Sequence, residues 1–253
     1  MADNAWYKEW FDSHYYHLLY QNRDDDEALQ FLQTLIRYLA LAPGSTMVDI
    51  ACGKGRHSKA LADMGFDVTG IDLSFPSIEE AKREEDEHLH FYQHDMRLPF
   101  WINYFQYAFN FFTSFGYFKT RREHDNAIRT IAQSLATGGI FVIDYLNVHY
   151  LEDVLDRSST TTIEDVTFHI SKWQDQDHFF KQIQVTDANN RSLKHLYTER
   201  VAKFTLGDFT EMLTYQGMQV KEVFGDYHLG RYNVKSSPRM IIVAEKIMVS
   251  QGS

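Results

Sequence analysis

The sequence is short of several things, and each scarcity excludes something. A single cysteine, Cys52, in 253 residues leaves no intramolecular disulfide and no cysteine-only metal cluster. Such usage suits a reducing cytoplasm, the expected location. Four prolines and no low-complexity stretch leave no flexible linker to divide the chain. No apolar run nears the ~18 residues that span a bilayer. The first ten residues are acidic and polar, so neither a signal peptide nor a membrane partner is expected. Positive charge is outnumbered: 25 Lys and Arg stand against 35 Asp and Glu, a formal net charge of −10. A chain without a basic face is not expected to hold a nucleic acid backbone. Aromatics are plentiful at 15%, with 44% hydrophobic residues overall, enough to bury a core and to argue against disorder.

Short apolar runs alternate with helical patterns through the first half of the chain. Aromatics Trp6, Trp10, Tyr16 and Tyr20 recur at or near helical spacing. Asp24-Asp25-Asp26-Glu27 then opens a helix with Ala28, Phe31, Leu32, Leu35, Ile36 and Leu39 on one face. Strands are expected at 46–51, 67–72, 90–94, 107–115 and 140–145, with helices at 56–64, 77–87 and 122–136 between them. This rhythm predicts a parallel sheet covered on both faces, a Rossmann-like doubly wound α/β fold. After Asn147 the pattern changes. A short helix over 148–156 precedes alternating stretches at 166–173, 179–185 and 193–204, broken by Asp187-Ala188-Asn189-Asn190. These predict an antiparallel β insertion after strand five. A helix at 206–215 and strands at 219–224 and 240–246 return to the first domain. The expected division is 1–147 with 206–253, and 148–205.

The most informative segment is Val48-Asp49-Ile50-Ala51-Cys52-Gly53-Lys54-Gly55. A buried strand runs into Gly-x-Gly, and a helix follows. Glycine lets the backbone turn sharply and lets a ligand approach the main chain. The helix N-terminus behind it offers free N–H groups. Asp72 ends the second strand, where an acidic residue accepts from ribose hydroxyls. Asp95, at the end of the third strand, is placed to accept from an adenine amino group. Together they point to an adenosine-containing ligand. A dinucleotide would prefer a third glycine where Ser58 stands, and a phosphate loop would need Gly-Lys-Ser/Thr. Asp49 would repel a pyrophosphate and tolerate an ammonium, which favours S-adenosylmethionine.

These runs resemble the class I S-adenosylmethionine-dependent methyltransferases. The segment from Val48 to Gly55 resembles the family's first motif, Val68-Thr69-Gly70-Ile71-Asp72-Leu73-Ser74 its second, and His94-Asp95-Met96-Arg97 its third. The resemblance implies a seven-stranded sheet with an antiparallel last strand. It also implies that Asp49, Ala51, Gly53 and Gly55 line the methionine end of the cofactor. Asp72 would take the ribose, Leu73 would flank adenine, and Asp95 with the Met96 backbone would read the adenine edge. The run Phe112-Thr113-Ser114-Phe115-Gly116-Tyr117, the β insertion and the tyrosine-rich N-terminus are similar to small-molecule N-methyltransferases of the amino-sugar and glycine or sarcosine kinds. Phe112 joins the expected cofactor contacts. In similar enzymes the N-terminal segment folds over the cofactor, which adds Tyr20 and Arg23, the latter paired with the methionine carboxylate.

For catalysis, Tyr117 is expected to orient the nucleophile, and Asp144 and Tyr145 leave strand five at the same rim. Asp144 would bind a substrate ammonium. No histidine shows metal-ligand spacing, so no metal is expected. The expected partner is a small molecule, with nitrogen favoured over oxygen as acceptor. The insertion serves either as a substrate cover or as a homodimer contact. Three alternatives stay open: an RNA or protein methyltransferase, a non-catalytic S-adenosylmethionine-binding protein, and a nucleotide-dependent dehydrogenase.

Overall fold

A computed structural model describes residues 6–20, 25–155, 157–188 and 194–247. Arg23 and the Asn189-Asn190 part of the expected turn lie outside them. Trp6, Trp10 and Tyr16 fall on two short helices, α1 (Trp6–Phe11) and α2 (His14–Leu19), and Tyr20 caps the end of the second. The helices part at Ser13, whose hydroxyl caps α2 by accepting the Tyr16 N–H at 3.1 Å. Then come α3 (Asp25–Leu39), β1 (Thr46–Ile50), α4 (Arg56–Asp63), β2 (Asp67–Asp72), α5 (Phe75–Ala81) and β3 (Leu89–Gln93). They are followed by β4 (Phe105–Asn110), α6 (Arg121–Ser134) and β5 (Leu135–Leu146). Next, α7 (Val148–Val154) leads to β6 (Ser158–Ile163), β7 (Val166–Gln174), β8 (His178–Asp187) and β9 (Lys194–Ala202). The chain ends with α8 (Leu206–Tyr215), β10 (Met218–Phe224) and β11 (Arg239–Lys246).

The main sheet has seven strands in the order β10-β11-β5-β4-β1-β2-β3. Strands β1 to β5 run parallel, while β11 is antiparallel to both β5 and β10. This is the expected Rossmann-like sheet with its antiparallel last strand. Strand order reverses between β1 and β4, so the loops that follow them diverge and leave a crevice at the carboxyl edge. One face of the sheet buries Ile128 and Ile131 of α6 with Phe209 and Leu213 of α8. The other buries Phe31, Leu32 and Leu35 of α3 with Leu61 of α4. A second, four-stranded antiparallel sheet, β6-β7-β8-β9, follows β5. It packs Phe168, Ile183 and Val185 against Trp10 and Leu18 of the N-terminal helices. Thus the insertion is roofed by the start of the chain.

The helix expected at 77–87 ends at Ala81, the second sheet gains β6 ahead of the expected stretches, and strands four and five differ at their ends. Strand four ends at Asn110, not near residue 115, because Phe112 and Thr113 take left-handed φ values of 55° and 59°, which no strand accommodates. Strand five begins at Leu135, just past α6 and before the glycine pair.

Gly55 serves packing. Its φ is +79°, and a Cβ there would meet the Phe91 ring at 2.4 Å; one on Gly70 would meet the same ring at 2.5 Å. Gly55→Ala is expected to cost about 3 kcal/mol, from left-handed strain and overpacking, read as a lowered denaturation midpoint. In a Phe91→Ala background the same change costs less; an equal cost in both would remove Phe91 from the explanation.

Candidate functional site

The crevice is a cavity of about 740 Å³, within the range of small-molecule sites. The ends of β1 to β4 form one side. Phe11, Tyr16 and Tyr20 of the N-terminal helices cover it, and Glu164 and Glu199 reach it from the second sheet. Among the described residues no group of three His, Cys, Asp or Glu could hold a metal ion. No helix among them is long and apolar enough to cross a membrane.

Three carboxylates stand at the ends of three adjacent strands. Asp49, at β1, is 2% exposed and accepts the Ser58 hydroxyl at 2.7 Å, with the Ser58 backbone also favouring its ionised form. Burial pushes its carboxyl up to about 6, against the opposing pull of Ser58. Ser58, buried on α4, thus supplies a donor where a dinucleotide motif would place glycine. The turn after β1 is left-handed at Ala51 (φ 61°) and Gly53 (φ 57°). It delivers the Gly53 N–H to Asp72 Oδ2 at 2.8 Å, while the Ser74 N–H reaches Oδ1 at 2.7 Å. Burial still raises the Asp72 pKa. Each of its oxygens keeps a further lone pair. Asp95 faces Arg97, whose Nη2 donates to Oδ2 at 2.6 Å and Nε to Oδ1 at 3.0 Å. Burial would raise its pKa, but the hydrogen bonds and charge of Arg97 outweigh that and hold it below the usual range.

Ten of the expected site residues line this one cavity: Tyr20, Asp49, Ala51, Gly53, Asp72, Leu73, Asp95, Met96, Phe112 and Tyr117. Gly55 does not; it sits behind the loop against Phe91. The placement of Asp144 and Tyr145 beside an acceptor is corrected, because both side chains are 0% exposed and neither lines the cavity. Tyr145 donates its hydroxyl to the Ala202 carbonyl at 2.6 Å. Asp144 is paired with Arg239, at 2.7 Å from Nη2 and 2.8 Å from Nε. Its other oxygen accepts the Phe112 N–H at 2.8 Å and the Tyr227 hydroxyl at 3.1 Å. Its carbonyl accepts the Thr113 N–H at 2.9 Å, and Arg239 donates to Thr113 Oγ1 at 2.9 Å. The buried pair therefore grips the two left-handed residues of the cavity wall from behind. Such strain persists only where the surroundings fix it.

Several cavity residues escape a reading of the sequence. Glu199 Oε1 accepts the Trp10 indole N–H at 2.7 Å and the Tyr20 hydroxyl at 3.2 Å. Asp12 accepts the Ser74 hydroxyl, which ties the N-terminal helices to the end of β2. The available signal was alternation: on β9, Glu199 shares a face with Tyr197 and Val201, an inward charge among apolar neighbours.

Asp144→Ala is expected to cost about 3–5 kcal/mol, since it strands the Arg239 cation. The Asp144→Ala, Arg239→Met double variant recovers part of that in chemical denaturation; no recovery would contradict the pairing. Asp49 carries a separate linkage. Its raised pKa means that stability from the neutral form is present at low pH and lost as pH rises through about 6. Asp49→Asn is thus expected to stabilise the ligand-free protein by about 1–3 kcal/mol near pH 8 and little near pH 4. Equal effects at both pH values would refute the burial argument.

Comparison with known proteins agrees with this geometry. Residues 47–139 match the family described as "Methyltransferase domain". The chain is 32% identical over 131 residues to a dTDP-3-amino-3,4,6-trideoxy-alpha-D-glucopyranose N,N-dimethyltransferase of Streptomyces venezuelae. That match covers 51% of this chain and 54% of the relative, so it spans about half of that protein's length. Glycine N-methyltransferase of Oryctolagus cuniculus is 25% identical over 215 residues, 72% of each chain. Among solved structures, an S-adenosylmethionine-dependent methyltransferase from Clostridium acetobutylicum ATCC 824 superposes with a TM-score of 0.75. It is 15% identical and covers 92% of this chain and 96% of its own, which speaks for the shared fold. The glycine turn and the strand-end carboxylates lie within the segment that matches the methyltransferase domain, residues 47–139, on a fold shared with a solved S-adenosylmethionine-dependent methyltransferase.

Proposed function

We propose that the chain transfers the methyl group of S-adenosylmethionine to an amine nitrogen of a small molecule. The observation that carries the reading is the convergence of Asp49, Asp72 and Asp95 with the Gly53 turn on one cavity. The cofactor supplies an activated methyl on a cationic sulfur. Asp49 faces its ammonium, with Ala51, Gly53 and Tyr20 around the methionine end; Gly55 keeps the turn in place from behind. The lone pairs of Asp72 left over from its backbone bonds take the ribose hydroxyls. Leu73 and Phe112 flank the purine region, and Asp95 with the Met96 backbone meets the adenine edge, while Arg97 fixes the Asp95 carboxylate.

In the transfer, the acceptor nitrogen's lone pair forms the N–C bond as the C–S bond breaks and its electrons pass to sulfur. The thioether leaves neutral, and the methylated nitrogen then sheds its proton. Because the leaving group is already good, alignment and exclusion of water are the protein's main contribution. Tyr117, in edge contact with Phe11 at 5.4 Å, lines the cavity beside the strained Phe112–Thr113 turn and orients the acceptor. The second sheet, with Glu164 and Glu199, covers the acceptor side. Support for a nitrogen acceptor comes from the amino-sugar and glycine relatives. The net charge of −10 supports a small molecule over RNA.

Two measurements test this. S-Adenosylhomocysteine is expected to bind in calorimetry, and Asp72→Ala to weaken it at least about tenfold, roughly 1.4 kcal/mol. Incubation of the protein with S-adenosylmethionine and a panel of amines is expected to yield a product one methyl heavier. A folded protein with no affinity for either cofactor form would overturn the reading.

A further inference from the structure

We propose that Glu199 binds the acceptor's amino group, and that the acceptor is a cation carrying no diphosphate or comparable anionic group. This rests on the methyl-transfer reading of the cavity and deepens it. Glu199 lies on β9, directly across from Lys181 on β8. Its Oε1 is taken: it accepts from Trp10 and Tyr20, and Lys181 Nζ stands 3.9 Å away. Its Oε2 accepts no hydrogen bond from any described residue. The side chain is 12% exposed and lines the cavity. A carboxylate fixed by three groups at one oxygen presents the other at low entropic cost, poised for a donor.

Charge around the cavity points the same way. Its described lining holds six carboxylates, Asp12, Asp49, Asp72, Asp95, Glu164 and Glu199, against two permanent cations, Lys54 and Arg56, with Arg97 and Lys181 set against Asp95 and Glu199 from just outside it. Lys54 is itself bound by Glu80 at 2.8 Å. The cofactor adds a formal +1, from a sulfonium and an ammonium less a carboxylate. The acidic excess that remains focuses a negative potential in a low-dielectric cleft. A diphosphate placed there would meet carboxylates; an ammonium would be drawn in. Glu199 Oε2 accepts an N–H bond from the acceptor nitrogen in either protonation state. It therefore captures the ammonium and, once the proton has gone to water, orients the free amine's lone pair. Glu164, on the β6–β7 turn, adds a second negative charge to this side.

The test uses the full chain saturated with S-adenosylhomocysteine and three probes of one shape: benzylamine, benzyl alcohol and benzoate. Calorimetry near neutral pH is expected to show benzylamine binding about tenfold tighter than benzyl alcohol, with benzoate weakest. Glu199→Gln keeps the shape and is expected to remove about tenfold of the benzylamine affinity, with cofactor-product affinity unchanged. Lys181→Met, which removes a competing cation, is expected to strengthen benzylamine binding. Thermal melts establish that both variants fold. Benzoate binding as tightly as benzylamine, no benzylamine binding, or an unchanged preference in Glu199→Gln would each overturn the proposal. Should S-adenosylhomocysteine fail to bind, the methyl-transfer reading falls, and the same titrations on the unloaded protein still read the charge preference.

Discussion

A carboxylate at the end of a buried parallel strand sits where water does not reach, and it must find donors or stay neutral. The rim of this sheet repeats that problem at three adjacent strands and resolves it differently each time. Asp72 is served by the backbone amides of Gly53 and Ser74, Asp95 by a guanidinium, and Asp49 by Ser58 alone, through its hydroxyl and backbone. Burial outweighs what Ser58 supplies, and the Asp49 carboxyl is pushed up to about 6. A cation arriving in the cavity supplies what the fold withholds. The instability of the empty site and the affinity of the filled one then have the same origin, a common pattern where function and stability compete.

The antiparallel last strand has a role in that geometry. Because β11 runs against β5, its first residue lies at the same edge as the last residues of the parallel strands. Arg239 opens β11 and Asp144 is near the end of β5, so they meet behind the cavity wall. A seventh parallel strand would put its N-terminal end at the opposite edge. The pair holds Phe112 and Thr113 in a conformation that their own side chains disfavour. Thus strand direction, a buried ion pair and a strained turn form one device, and the cavity's shape at Tyr117 depends on it.

The alternation of apolar runs and helical patterns made the parallel sheet legible, and the family resemblance added its antiparallel last strand. The Gly-x-Gly turn and Asp72 made the rim legible, because those residues act within one βα unit. What stayed hidden acts across the chain. Asp144 reads as a rim carboxylate until Arg239, 95 residues away, is found against it. Glu199 meets Trp10 across 189 residues, a contact no local pattern encodes. The overrun of strand four has a similar cause: Phe111 to Phe115 continue the apolar run, and only the amides held by Asp144 turn the backbone. Gly55 has the glycine expected of a ligand-facing loop, yet the ring of Phe91 on β3 occupies the space that its missing side chain leaves.

The central claim is that Asp49 is a desolvated carboxylate awaiting a cation, and its titration by carbon-detected NMR tests that most directly. In the ligand-free protein its carboxyl carbon should titrate with a midpoint near 6. Saturation with S-adenosylmethionine should shift the midpoint down by at least about one unit, as an adjacent positive charge favours the ionised form. A midpoint near the ordinary aspartate value of about 3.9 in the free protein, or one that the cofactor leaves in place, would contradict it.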